Sequence, residues 1–152
     1  MGYQWTVRPV QARDEERWKV LYRGYREFYH CEPDENVVET TWQWVLNGRH
    51  NLFGLVVADA DQTVFALANS RVFARPLMGQ MGIYLDDMFT DPELRGQGLG
   101  GLLLTRLQEI AKEKGAGVVR WITAEDNATA RVLYDKRATL TVYRTYDMKP
   151  LT

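Results

Sequence analysis

The sequence predicts an α/β fold, and three patterns carry that reading. Gly82 to Arg106 reads as a strand, a polar loop, a glycine turn and a helix. Leu52 to Ala58 is a strongly apolar strand, turned back through Asp59-Ala60-Asp61-Gln62 into a second strand from Thr63 to Phe73. Trp18, Leu21, Tyr22, Tyr25, Phe28 and Tyr29 fall on one helical face. At 152 residues the chain is expected to form one domain, 1–152, large enough for a core of its own.

Taken in order, Tyr3 to Val10 alternates as a first strand, stopped near Arg8-Pro9. Asp14-Glu15-Glu16 supplies negative charge to the first turn of the aromatic helix, where the macrodipole favours it. Tyr25, Phe28 and Tyr29, near its end, serve either core packing or the wall of a pocket. A second helix is expected over Val37 to Leu46, closed by Asn47-Gly48. Arg75-Pro76-Leu77-Met78-Gly79 is a turn into the central strand. After the glycine-turn helix, Lys112-Glu113-Lys114-Gly115 places basic residues in the last turn and then a glycine. Val118, Val119, Trp121 and Ile122 predict a buried strand, Glu125-Asp126-Asn127 caps a further helix with Ala130, Leu133 and Tyr134 on its apolar face, and Thr139 to Met148 reads as a closing strand.

Charge and composition exclude several function classes. The net charge of -1 disfavours a nucleic-acid partner held by bulk charge. Cys31 is the only cysteine, which excludes an internal disulfide and agrees with a cytoplasmic location. His30 and Cys31 lack a second ligand cluster, so no metal is expected. No apolar run has the length of a membrane span, and the first residues lack a signal-peptide pattern.

The glycine turn, Arg95-Gly96-Gln97-Gly98-Leu99-Gly100-Gly101, carries the chemistry. The first N–H groups of a helix lack intrahelical partners, and glycines remove the side chains that would hold an anion away from them. A pyrophosphate can then sit against the backbone. A P-loop would need Gly-Lys-Ser/Thr, and here Gly100 is followed by Gly101 and Leu102. Gly96, Gly98 and Gly101 match a dinucleotide fingerprint literally, but the polar run from Asp91 to Arg95 separates them from the strand, and the chain beyond is too short for a doubly wound sheet.

The turn resembles the Arg/Gln-x-x-Gly-x-Gly/Ala turn of the GNAT acetyltransferase superfamily. Tyr84-Leu85-Asp86-Asp87-Met88-Phe89 resembles that family's Tyr-Leu-Glu-Asp-aromatic strand, and Asn127 to Tyr134 its Asn-x-x-Ala-x-x-x-Tyr helix. The similarity is greatest to the polyamine, diamine and amino-acid acetyltransferases. It implies the GNAT fold, a mixed, mostly antiparallel sheet of about six or seven strands with about four helices, and a homodimer. It implies acetyl-CoA as cofactor, held by residues 95–101, by the backbone of Met88, Phe89 and Thr90, and by Asn127 and Tyr134. One departure stands out: Ala138 occupies the place of a family glycine, which bears on the helix end and the closing strand.

Acetyl transfer to an amine requires the amine to be neutral, and an alkylammonium with a pKa of about 10.4 is almost wholly charged at pH 7. A carboxylate beside the acceptor can bind the ammonium and relay its proton. Asp86 and Asp87 are the candidates, and strand alternation sends them to opposite faces. The resemblance assigns proton removal to Asp86, usually a glutamate, and protonation of the departing thiolate to Tyr134. The expected acceptor is a small primary amine: a polyamine, diamine or amino acid. Protein or peptide acetylation and a non-catalytic CoA-binding module are the alternatives.

Overall fold

The computed structural model describes residues 4–152. The chain forms two compact units, Met1–Ile122 and Thr123–Thr152. Tyr3, expected at the start of the first strand, lies outside the described residues.

The first unit is built on a five-stranded sheet in the order β1-β2-β3-β4-β5. The strands are β1 (Thr6–Pro9), β2 (Leu52–Ala58), β3 (Val64–Arg75), β4 (Gln80–Thr90) and β5 (Val119–Arg120). The first four pair antiparallel and β5 joins β4 in parallel. Three helices accompany them: α1 (Glu15–Phe28), α2 (Glu35–Leu46) and α3 (Leu99–Lys114). The fold is therefore the expected mixed, mostly antiparallel one. Among the described residues the strand count is five rather than six or seven, and residues 139–148 form no strand. The strand expected over residues 118–122 shrinks to two residues and is half-buried, with Ile122 exposed.

The two faces of the sheet are covered by different helices. Trp18, Leu21 and Tyr22 of α1 and Val38, Trp42 and Val45 of α2 form one core with Val56, Val64, Leu67 and Phe89. Trp18 stacks on Tyr22 at 4.7 Å and meets Trp42 at 5.2 Å. Burying each such side chain contributes about 1.5–3 kcal/mol. The alternate strand residues Leu55, Val57, Ala66, Ala68 and Leu85 are also buried, and α3 packs on the sheet through Leu103, Leu104 and Leu107. The period of 2 in the strands thus feeds two separate cores.

Local chemistry sets the element ends. The Asp34 side chain accepts from the backbone N–H groups of Asn36 and Val37 and so starts α2. Asn47 closes α2, and Gly115, with φ +66°, closes α3. Asp14 sits just before α1 and is buried. Its carboxylate accepts two bonds from Arg8, at 2.8 and 2.9 Å, and one from the Gln11 N–H. Burial opposes its ionisation, but the bonds from Arg8 and Gln11 and the charges of Arg8 and Arg13 outweigh it, holding the carboxyl below its ordinary range.

The second unit contains α4 (Ala128–Arg137). Ala130, Leu133 and Tyr134 lie on its half-buried side. Asn127 precedes the helix, but its side chain does not cap it: Nδ2 donates to Thr123 Oγ1 at 3.0 Å. Ala138 leaves the helix in an extended conformation, φ -148° and ψ 173°, rather than the left-handed one a glycine commonly provides. Beyond it Leu140, Val142, Tyr143, Tyr146, Met148 and Leu151 are all exposed.

Candidate active site

Strand β4 carries a β-bulge. Asn69 of β3 faces Asp87, yet the next residue, Ser70, faces Leu85, so Asp86 is the extra residue. Regular alternation on β3 puts Asn69 and Arg71 on one face. Asp87 accepts from Asn69 Nδ2 at 3.0 Å, and Asp86 accepts from Arg71 Nε at 3.0 and 3.2 Å. Both carboxylates therefore belong to the same face of the sheet, which corrects the expectation that alternation separates them.

That face is the one under α1. The Tyr22 hydroxyl donates to Asp87 Oδ2 at 3.1 Å, and the Tyr25 hydroxyl donates to the Asp86 carbonyl at 3.4 Å. Burial, reinforced by the charge of Asp87, pushes both phenols well above the ordinary tyrosine range, so they remain donors. Asp86 is also pushed up. Burial is the largest cause and the neighbouring Asp87 charge adds to it, against the opposing hydrogen bond and charge of Arg71. Asn69 is 1% exposed, and its Oδ1 and the Ser70 hydroxyl have no hydrogen-bond partner among the described residues. Residue spacing did not single out Tyr22, Asn69 or Arg71 as site residues. The signal available was the period of 2 on β3, which places two polar residues, Asn69 and Arg71, where an apolar face was due.

Past the bulge the strand has an open edge. β5 pairs with β4 only at Ile83 and Tyr84, so Leu85 to Thr90 has no strand beside it on that side among the described residues. This edge includes the backbone of Met88, Phe89 and Thr90, and it leads through a 3-10 turn at Pro92–Leu94 into the glycine turn. Asp91 opens that turn by accepting from the Glu93 N–H, and its carboxylate pairs with Arg17 of α1. Arg17 also donates to the Val64 carbonyl at 2.8 Å.

Gly96 and Gly98 adopt left-handed conformations, φ +80° and +81°, and a Cβ added to either would meet nothing within 4 Å. The space over the turn is thus open to a ligand. Leu99, Gly100 and Gly101 form the first turn of α3, whose N-terminus carries partial positive charge. The Arg95 guanidinium lies 5.3 Å from the Phe89 ring centre and 5.9 Å from that of Phe28. These three residues, with Arg17, Gly24 and Asp91 among others, line a cavity of about 350 Å³. Tyr25 contacts both Phe89 and Tyr29, so Tyr25, Phe28 and Tyr29 continue the aromatic wall. Asn127 and Tyr134 belong to the second unit.

A five-stranded sheet bulged at a carboxylate pair, an open strand edge and a glycine turn at a helix N-terminus define an acyltransferase architecture. The chain belongs to the acetyltransferase (GNAT) family, whose model matches residues 18–138. It is 25% identical to the D-amino-acid N-acetyltransferase HPA3 of Saccharomyces cerevisiae over 134 residues, 88% of this chain and 83% of that one. A thialysine N-epsilon-acetyltransferase of Bos taurus is 38% identical over 52 residues, 34% of this chain and 31% of that one. Among solved structures, an aminoglycoside N-acetyltransferase in complex with CoA superposes with a TM-score of 0.80 at 14% identity, covering 99% of this chain and 97% of that one, a likeness of fold. This chain is an N-acetyltransferase of the GNAT family.

Proposed function

We propose that the protein transfers an acetyl group from acetyl-CoA to a primary amine of a small molecule, with both substrates bound together. The observation that carries this reading is the carboxylate pair on one face beside an open strand edge and a glycine cradle. The named relatives act, by their names, on D-amino acids and thialysine, which fits a small amine. We take the two units as one acetyltransferase domain, in keeping with a family match that runs through both.

The glycine cradle suits a pyrophosphate: N–H groups at a helix start, no Cβ in the way, and Arg95 adjacent. The edge of Met88 to Thr90 suits a pantetheine arm, whose amides can pair with it as an added strand does. Bound acetyl-CoA supplies the activated acetyl group. Asp86 accepts a proton from the ammonium, directly or through water, and its raised pKa suits it to that task. Asp87, held by Tyr22 and Asn69, places a second carboxylate beside the acceptor. The amine nitrogen then forms the amide bond as the carbon–sulfur bond breaks, and the electron pair leaves on sulfur. Of the ammonium's three protons, one stays on the amide, the thiol gains the equivalent of one, and one passes to solvent. Tyr134 is assigned the protonation of sulfur and Asn127 a hydrogen bond to the pantetheine arm, both on the motif they share with the family.

The test is thiol release from acetyl-CoA against spermidine, short diamines, amino acids of both hands and a histone-tail peptide. Release with the small amines is expected. CoA binding without release on any amine would replace the enzyme reading with a regulatory one. Release confined to the peptide would make the protein a protein acetyltransferase.

A homodimer belongs to the same proposal, supported by the run of exposed apolar residues from Leu140 to Leu151. Light scattering at micromolar concentration should give twice the chain mass, and a monomer would refute it. No helix among the described residues is long and apolar enough to cross a membrane. A cytoplasmic location is proposed on the lone cysteine.

A further inference from the structure

Among the described residues Arg71 is the one cation paired with the proposed proton acceptor, and it is engaged on one side only. Its Nε donates to both oxygens of Asp86, while its two terminal nitrogens carry no hydrogen bond among the described residues. Its guanidinium lies over the Tyr84 ring, 4.7 Å from the ring centre. The side chain remains 42% exposed, against 29% for Asp86. The free edge of such a fork presents two N–H donors in the geometry that a carboxylate accepts.

The surroundings repeat this mixture of charges. Tyr84 is flanked on β5 by Arg120, whose guanidinium lies 5.7 Å from the Phe73 ring, and Phe73 meets Tyr84 edge-on at 6.0 Å. The face thus offers Asp86 and Asp87 at the bulge and arginines along one side. A polyamine carries only positive charges and would have to compete with a tethered guanidinium for Asp86. A molecule with an ammonium and a carboxylate one carbon apart instead satisfies both members of the pair.

We propose that the acceptor is an α-amino acid, with Arg71 as its specificity-determining residue: the substrate carboxylate takes the open edge of the guanidinium while the substrate ammonium takes Asp86. This rests on the reading of the site as an amine-acceptor site and adds the class of amine. Acetylation follows at the α-amine, including on lysine.

The experiment compares amines that differ only in the carboxylate: phenylalanine, its carboxamide and phenethylamine, and lysine with cadaverine, in both hands where they exist. Wild-type enzyme should favour the amino acid over the decarboxylated amine and the carboxamide by tenfold or more in kcat/KM, chiefly through KM. Arg71→Gln should bring that ratio close to one, and Arg71→Lys should restore part of it. A wild-type ratio near one, or an Arg71→Gln variant that slows every member of a set alike, would overturn the proposal. The wild-type comparison with the carboxamide holds even should the variant fold poorly. Turnover indifferent to the carboxylate strikes this proposal alone, whereas no turnover on any amine strikes the transferase reading and this proposal with it.

Discussion

Replacing Gly98 by valine separates the cost of a strained backbone from the loss of a ligand. Gly98 has φ +81°, a region where an L-residue costs about 1–2 kcal/mol. An added Cβ meets no atom within 4 Å, so the Cβ itself adds no packing clash. For a chain of this size that strain lowers the melting temperature by about 2–8 °C. The same substitution at Gly115 provides the control: its φ is +66°, its surroundings are equally empty, and it lies at the other end of α3. Both variants should therefore lose similar stability in a thermal melt. Only Gly98→Val places a branched side chain in the open space over the turn. Calorimetric titration with CoA should show at least a tenfold weaker Kd for Gly98→Val, about 1.4 kcal/mol, and a wild-type Kd for Gly115→Val. Equal CoA affinity in the two variants would refute the assignment of the turn to a phosphate.

Asp86→Asn should lower turnover by about a hundredfold or more. Because the folded-state pKa of Asp86 is raised, its stability contribution is greatest below the unfolded value and is lost as pH rises, so the variant should melt no lower than wild type at pH 7. A lower melting point would contradict that sign. Tyr134→Phe should retain CoA affinity and slow turnover by about tenfold or more, and an unchanged rate would remove Tyr134 from the reaction. Asp14→Ala breaks the Arg8 pair and should cost about 3 kcal/mol in urea unfolding at pH 7. Since the Asp14 pKa is lowered on folding, this gap should persist above the unfolded value near 3.9 and close as pH falls through the folded value. A gap independent of pH would show that the carboxylate charge contributes nothing.

The elements that could be read from sequence are those fixed by local periodicity. The aromatic face of α1, the hairpin of β2 and β3, and the glycine turn running into α3 each depend on residues within a few positions of one another. The bulge at Asp86 does not. It arises from a count across two strands, ten residues on β3 against eleven on β4, and nothing in Asp86-Asp87 itself reveals it. That one residue turns an expected separation into a shared site. The aromatic stripe was legible as a stripe, but its division was not: Trp18 and Tyr22 are core, whereas Phe28 is 47% exposed and lines the cavity. The closing strand failed for a related reason. Residues 139–148 have strand-forming side chains, yet a strand needs a neighbouring backbone, and composition does not supply one.

Helix α1 serves as a common datum for both halves of the proposed site. Arg17 secures the entrance to the glycine turn through Asp91, while Tyr22 and Tyr25, up to two turns further on, fix Asp87 and the backbone of Asp86. The span is about 12 Å along one rigid rod. The glycine turn and the carboxylate pair are thus gauged from a single ruler, so a displacement of the helix shifts both references together and leaves the interval between them unchanged.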